Sequence, residues 1–390
     1  MSQRTRAAEP RIVLPYATYG PYHVARVRHA GPFLAARGQR LVPVELFESS
    51  ETYRWKGVPE LDSIVRLKLP RIHGDNVAPR WLARCLSEFA RLQPSVMVVN
   101  GWATFQDLVL HFWCRQRGIP RVVISDSQGQ DSRRWGLVER AKQLLVSGCD
   151  AAFTAGRPQA RYLQGLGMSP ERCFLGCDVV DNNHFAGPVT QREWSHSVLT
   201  VARFEPSKNL ELACDAFLEF TASRPSCETW SWTIVGYGSQ EEKLRKVATA
   251  SGGAIRIVSF KSYDELPDVY ASACVYWQPS VREPWGLVVN EAMAAGMPVL
   301  VSSQCGCHED LVADDNGWVF DARLRASMVR ALTLAAESWR RWPEMGAASQ
   351  RRIQAWGLDR FSAGLAAAVD VALNCPDAAS SRGLTPIARE

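Results

Sequence analysis

Two hydrophobic periods alternate along this chain. Short apolar runs at Arg11–Pro15, Leu41–Phe47, Val96–Val99, Val122–Ser125, Asp150–Thr154 and Arg172–Leu175 read as buried strands. Between them, apolar residues recur at helical spacing. His23–Arg37 is one example, with Val24, Val27, Ala30 and Leu34 on one side, and Phe105–Gln116, with a Trp and Phe face, is another. Pro79–Leu92, Leu137–Val146 and Pro158–Leu166 complete the set, while Glu48–Asn76 is polar and irregular. Strands alternating with helices predict an α/β domain with a parallel sheet.

The pattern then breaks. Cys177–Gly187 has no clear period and runs into Gly187-Pro188, and Gln191–Ser195 is polar, so a domain boundary is expected here. A second alternating series starts at Val198, with strands at Val198–Val201, Ser231–Val235, Ile255–Val258, Cys274–Gln278, Pro298–Ser302 and Trp318–Phe320. Helical spacing occupies Leu210–Phe220, Glu241–Ala250, Asp264–Ser272, Gly286–Ala295, Leu324–Glu337, Pro343–Trp356 and a last amphipathic stretch, Phe361–Leu373. The expected organisation is two doubly wound domains, 1–190 and 191–356, then a terminal helix within 357–376 and a flexible tail, 377–390. Such sheets bind ligands beyond the carboxyl ends of their strands, and two facing sheets make a cleft.

Composition narrows the partners. The 390 residues are 46% hydrophobic and 22% charged, as in ordinary globular chains. No apolar run approaches the roughly 18 residues of a membrane span, and Met1–Pro10 lacks the apolar core of an export signal. Eleven cysteines without paired metal spacing suit reduced thiols in a cytoplasmic protein. Residues 1–190 carry 25 Lys+Arg against 16 Asp+Glu, and the remainder 20 against 24. A basic first half fits an anionic partner, including the inner face of a membrane, as well as it fits a solvated Arg-rich surface. No dense basic run or nucleic-acid motif is present, so nucleic acid is not an expected partner.

Candidate chemistry gathers at strand ends. Gly20 lies in the turn after the first strand, but no G-x-G-x-x-G is present. Arg203 and Lys208 follow Val198–Val201, where a fork and a point charge can both face a diphosphate. Gly236 and Gly238 follow the next strand and Phe260 the one after. Then comes Pro279–Val299, with Glu283 and Glu291 at the ends of a loop–helix unit and Gly286 leaving the backbone bare at the helix start. Free amides and the positive dipole end there suit phosphate oxygens.

Together these motifs resemble the donor domain of the retaining nucleotide-sugar glycosyltransferases of family 4 (glycosyl transferases group 1), which have the GT-B fold of two Rossmann-like domains facing across a cleft. The family shows R-x(4)-K, V-G-x-G and a Glu-x7-Glu element within P-S-x-x-E-x-x-G-L-x-x-x-E-A-M-A-x-G-x-P-V. This chain has Arg203 and Lys208, Val235–Gly238, and Pro279–Val299 in register, then Gly306, Glu309 and Asn316-Gly317. The likeness covers roughly residues 198–340 by motif and the first domain by architecture.

The resemblance implies sugar transfer from a UDP- or GDP-sugar to a glycan, lipid-linked or small-molecule acceptor. Anomeric configuration would be retained and no metal or other cofactor needed, in envelope or exopolysaccharide biosynthesis. Arg203 and Lys208 would neutralise the departing pyrophosphate, and the amides of Gly286, Leu287 and Val288 would bind the same phosphates. Gly20 would let the first domain approach the diphosphate. Glu291 would accept from the ribose hydroxyls, Glu283 would face the donor sugar, and Phe260 the base. The terminal helix would cross back to the first domain.

Three departures stand out. The family's first-domain His is missing after Ser125; Asp126 is the candidate in its place, although a turn-forming Asp is an equal reading. Cys305 replaces a glycine, and the first-domain glycine turn is single. Cys305-Gly306-Cys307-His308 reads as a turn rather than a metal site, since no second ligand pair lies near it. The rival readings are a nucleotide-sugar hydrolase or epimerase, and a non-catalytic nucleotide-sugar-binding scaffold.

Overall fold

The computed structural model describes residues 9–49, 61–72, 76–130, 135–187, 194–225 and 228–375. The strands of the first half are β1 (Arg11–Tyr16), β2 (Arg40–Glu45), β3 (Val65–Arg66), β4 (Val96–Asn100), β5 (Arg121–Ser125), β6 (Ala151–Thr154) and β7 (Cys173–Leu175). They form one parallel sheet in the order β3-β2-β1-β4-β5-β6-β7. Pro43 sits inside β2 without breaking the ladder, because β3 pairs only from Val44 onward. The second half has β8 (Ser197–Arg203), β9 (Ser231–Tyr237), β10 (Ile255–Ser259), β11 (Val275–Gln278), β12 (Val299–Ser302) and β13 (Gly317–Phe320). These too are all parallel, in the order β10-β9-β8-β11-β12-β13.

Each sheet reverses its winding once, between β1 and β4 in the first and between β8 and β11 in the second. At such a reversal the loops leave in opposite directions and open a crevice above the strand ends. The chain therefore has two crevices, and the candidate residues of the second half follow β8, β9, β10 and β11.

Several expected elements shift by a few residues. Pro79–Leu92 is a tight single turn, Pro79–Trp81, followed by a helix, Leu82–Leu92. Asp264–Ser272 becomes a turn, Tyr263–Glu265, and a helix, Leu266–Ala271, with Pro267 in its first turn. The aperiodic junction contains a short helix, Asn182–Phe185, whose first turn is capped by Asp181 accepting from the Asn183 amide at 3.1 Å. Its Phe185 is buried against Tyr263 and Tyr270. Residues 188–193 and 377–390, part of the expected boundary and the whole expected tail, lie outside the described residues.

The terminal helix, Leu358–Asn374, packs on the helix Pro21–Ala35 and against the first sheet, not the second. Phe361 meets Phe153 at 5.3 Å between ring centroids, and Asp370 accepts from Gln39 at 2.8 Å and from Arg37 at 2.5 Å. Apolar packing is continuous through the junction, from Val179 and Val180 through Phe185 to Trp285 and Trp356.

Candidate functional site

The second crevice is built on β8 and β11. After β8 the chain makes a single turn at Pro206–Lys208, which delivers Lys208. After β11 the loop is tied to that turn, since the amides of Val281 and Arg282 both donate to the Ser207 carbonyl, at 3.0 and 3.3 Å. Lys208 is thereby carried to Glu283, and the two form an ion pair in which both side chains are mostly shielded from water. The same carboxylate oxygen accepts from Gln278 at 3.0 Å and from Ser280 at 3.3 Å. Gln278 is itself held by Tyr276, whose hydroxyl donates to it at 2.7 Å. Glu283 is thus fixed by three donors on rigid backbone, a preorganised carboxylate.

Gly286 follows, in the left-handed region at φ 106°, and opens the helix Leu287–Ala294. A side chain there would be strained, and its Cβ would sit 3.4 Å from Glu283 Cγ. Gly306 supports the loop from below. Its amide donates to the Glu283 carbonyl at 2.9 Å, and a Cβ there would collide with the Pro284 carbonyl. Cys305, in the place of a glycine, is fully buried and pairs as a parallel bridge with Glu283. Burial raises both the Cys305 and Cys307 thiols. His308 turns back to the Cys305 carbonyl at 2.8 Å. Among the described residues no cluster of three or more His, Cys, Asp or Glu is arranged to hold a metal.

Beside this unit lies a mostly apolar cavity lined by Arg203, Gly236, Tyr237, Phe260, Lys261 and Val288, with Pro21 and Tyr22 closing it from the first domain. The structure therefore gathers Arg203, Gly236, Phe260 and Val288 around one space. Lys208, Glu283, Gly286 and Leu287 form the adjoining loop and helix start. Gly238 lies one step back, tucked against the Phe204 backbone, where a Cβ would stand 2.6 Å from the Phe204 amide nitrogen. Phe260 stands edge-on to Tyr237 at 5.4 Å.

Glu291 is 1% exposed. Its two oxygens accept from Tyr22 at 2.9 Å and from Tyr270 at 2.6 Å. Burial pushes its carboxyl up to about 7, against the lowering effect of the Tyr270 and Tyr22 hydroxyls. Neither tyrosine was legible as a partner from sequence. Tyr22 is 269 positions away, and Tyr270 sits in a helix that reads only as core.

The first crevice, between β1 and β4, holds a second cavity lined by Tyr16, His23, Arg26, Asn100, Asp126 and Asp178. Asp126 is exposed at its mouth. Gln128, two residues on, reaches the second domain and donates to the Glu283 carbonyl at 3.0 Å and the Gln304 carbonyl at 3.2 Å. Arg26 pairs with Asp178 at 3.2 Å. His23 is half-buried against Tyr16, and desolvation, assisted by Arg26, lowers it to about 3, so it is neutral at physiological pH. Gly20 caps the helix Pro21–Ala35, its amide donating to His23 Nδ1 at 3.2 Å. In the sequence His23 reads only as the start of a helix, and nothing local marks it as a residue of this crevice.

The cleft is closed by further bonds across it. Gln159 donates to the Pro284 carbonyl at 2.5 Å. Arg157 pairs with Asp310 and Arg161 with Glu309, each at 2.6 Å.

Residues 189–352 match the family model described as glycosyl transferases group 1. An uncharacterized glycosyltransferase of Methanocaldococcus jannaschii is 41% identical over 157 residues, 40% of this chain and 39% of its own. The amylovoran biosynthesis glycosyltransferase AmsK of Erwinia amylovora is 30% identical over 148 residues, 35% of each chain. The chain thus spans little more than a third of the length of these curated relatives. Among solved structures, sucrose-phosphate synthase from Thermosynechococcus elongatus superposes with a TM-score of 0.71 at 16% identity, covering 92% of this chain and 97% of that one. HepE of Anabaena in complex with UDP superposes at 0.70 and 14% identity, covering 93% and 99%. These likenesses show the fold, the two-domain GT-B arrangement.

Proposed function

We propose that the protein is a glycosyltransferase that moves a sugar from a nucleoside diphosphate sugar, UDP- or GDP-linked, to an acceptor hydroxyl with retention of anomeric configuration. The observation that carries the reading is the convergence of Lys208, Glu283 and the bare helix start at Gly286 on the reversal point of the second sheet, beside the Arg203–Phe260 cavity. Negative charge grows on the departing diphosphate as the glycosidic bond breaks. Arg203, Lys208 and the amides of Gly286, Leu287 and Val288 supply fixed positive charge for it. That set needs no metal ion to hold the diphosphate.

In this reading the base lies between Phe260 and the Gly236 turn, and the ribose hydroxyls donate to Glu291. Glu283 faces the sugar and tolerates positive character at the anomeric carbon. The acceptor enters from the first crevice, where Asp126 orients a hydroxyl. The acceptor oxygen bonds to the anomeric carbon as the bond to the diphosphate oxygen breaks, and the acceptor proton passes to that departing oxygen on the same face. Amylovoran biosynthesis in the Erwinia relative, and the basic first half, favour a glycan or lipid-linked acceptor for an envelope or exopolysaccharide.

Product analysis with UDP- and GDP-sugars, with and without a glycan acceptor, tests this. Transfer that requires the acceptor supports it. Free sugar or an epimer formed at full rate without acceptor moves the assignment to a hydrolase or epimerase. Binding without any turnover leaves a scaffold.

A further inference from the structure

Two neighbouring helices of the first domain turn apolar side chains to solvent. In Phe105–Arg117, Gln106, Asp107 and His111 are buried, while Phe105, Leu108 and Phe112 face outward at 51%, 44% and 62% exposure. They are three and four residues apart, one stripe of the helix, and exposed Arg115 continues it. The inward polar groups are satisfied, so the orientation is fixed. Gln106 accepts from the Val77 amide at 3.1 Å, His111 bonds the Gly101 carbonyl at 2.9 Å, and Asp107 lies in the turn capped by Thr104.

The next helix, Gly136–Val146, buries only Val146. Leu137, Ala141 and Leu144 form its outward row, with the two leucines 83% and 75% exposed and Trp135 and Val138 also exposed beside them. These helices follow β4 and β5, and right-handed crossovers place them side by side on one face of the sheet. Each helix touches the turn beside the other: Cys149 Sγ, just past the second helix, is 3.7 Å from His111 Nδ1, and the Lys142 ammonium lies over Trp102, just before the first, at 5.3 Å.

The exposed ions of both helices are Arg115, Arg117 and Arg140. Asp107 is buried, and Glu139 is paired with Lys142 at 2.8 Å. We propose that this face docks on an anionic lipid bilayer, with the Phe112 and Leu144 rows entering the interface and the arginines meeting lipid phosphates. Charge complementarity selects this occupant over a second copy of the chain, because a two-fold contact would bring the arginines of both copies together. No helix among the described residues is long and apolar enough to cross a membrane, and these rows suit a helix lying in the interface. The inference goes beyond the transferase reading and uses none of its residues.

The test is co-sedimentation of the full chain with vesicles of phosphatidylglycerol and phosphatidylcholine in equal parts, and with phosphatidylcholine alone. The wild type binds the mixed vesicles, more weakly at high salt. Phe112→Ser/Leu144→Ser and Arg115→Gln/Arg140→Gln each lose on the order of tenfold or more. Both variants keep the wild-type melting temperature and UDP affinity, which separates this outcome from misfolding and from failure of the donor-site reading. Wild type that stays in the supernatant overturns the proposal, as do variants that bind unchanged. A wild-type dimer split by Phe112→Ser/Leu144→Ser, without vesicle binding, assigns the face to self-association instead.

Discussion

Tyr22 of the first domain donates a 2.9 Å hydrogen bond to Glu291 of the second. With Tyr270 on the other oxygen, the carboxylate has a donor on each side and is closed off from water. In the proposed reading the ribose hydroxyls need this same carboxylate, so Tyr22 stands where a ligand group would bind. Tyr22→Phe removes the competitor and is expected to tighten UDP binding by on the order of tenfold, one hydrogen bond to an ionised group. Calorimetric titration checks it. Weaker binding would instead make Tyr22 a necessary wall of the cavity it lines.

Glu291 also sets a pH dependence. Its folded-state carboxyl is raised to about 7 from 4.5, the reverse of a salt-bridged acid. Both states are protonated at low pH, so nothing is lost there. As pH rises from about 4.5 to 7 the unfolded carboxyl ionises first, and the fold loses up to about 3 kcal/mol, fully expressed above 7. UDP affinity moves the other way. It needs the ionised form and rises up to about tenfold per pH unit until pH 7, then levels. Glu291→Gln removes both dependences. Titration and thermal melting from pH 5 to 8 measure them.

The Lys208–Glu283 pair separates binding from chemistry. Glu283→Gln leaves a hydrogen-bonding group against Lys208, Gln278 and Ser280 and keeps UDP bound, but transfer falls on the order of 100-fold or more. Lys208→Ala loses both transfer and affinity, and strands a shielded carboxylate at a cost of about 3 kcal/mol in stability. Steady-state kinetics beside melting curves tell the two apart.

Gly156 measures the closure of the cleft. A Cβ there would press into Asp310 and the Trp285 ring. Gly156→Ala is expected to pry the domains apart, breaking the Arg157–Asp310 contact without disturbing either sheet. Small-angle scattering should show a larger radius of gyration, with unchanged secondary structure by circular dichroism.

Much of the second half could be read from sequence, because its signals are local. Glu283, Gly286 and Glu291 lie within one loop–helix unit, and the strands around them are short apolar runs bounded by glycine and proline. The Glu291 environment could not be read, since Tyr22 and Tyr270 reach it through the fold. The helix Phe105–Arg117 shows another limit. Its Trp and Phe positions suggest one apolar face, yet Trp113 is buried and Phe105 and Phe112 are exposed. Apolar residues lie on both sides of this helix, and the inward side, with Leu110, Trp113 and Cys114, also carries Gln106, Asp107 and His111, so periodicity alone does not say which side is buried.

The central claim is that the second crevice holds a nucleoside diphosphate through Arg203 and Lys208. Titration of UDP and GDP in chelator, against wild type and Arg203→Ala/Lys208→Ala, tests it most directly. The account predicts saturable binding of at least one diphosphate by the wild type and a loss of tenfold or more in the variant. Equal affinity in the two proteins, or no binding of either diphosphate by the wild type, would contradict it.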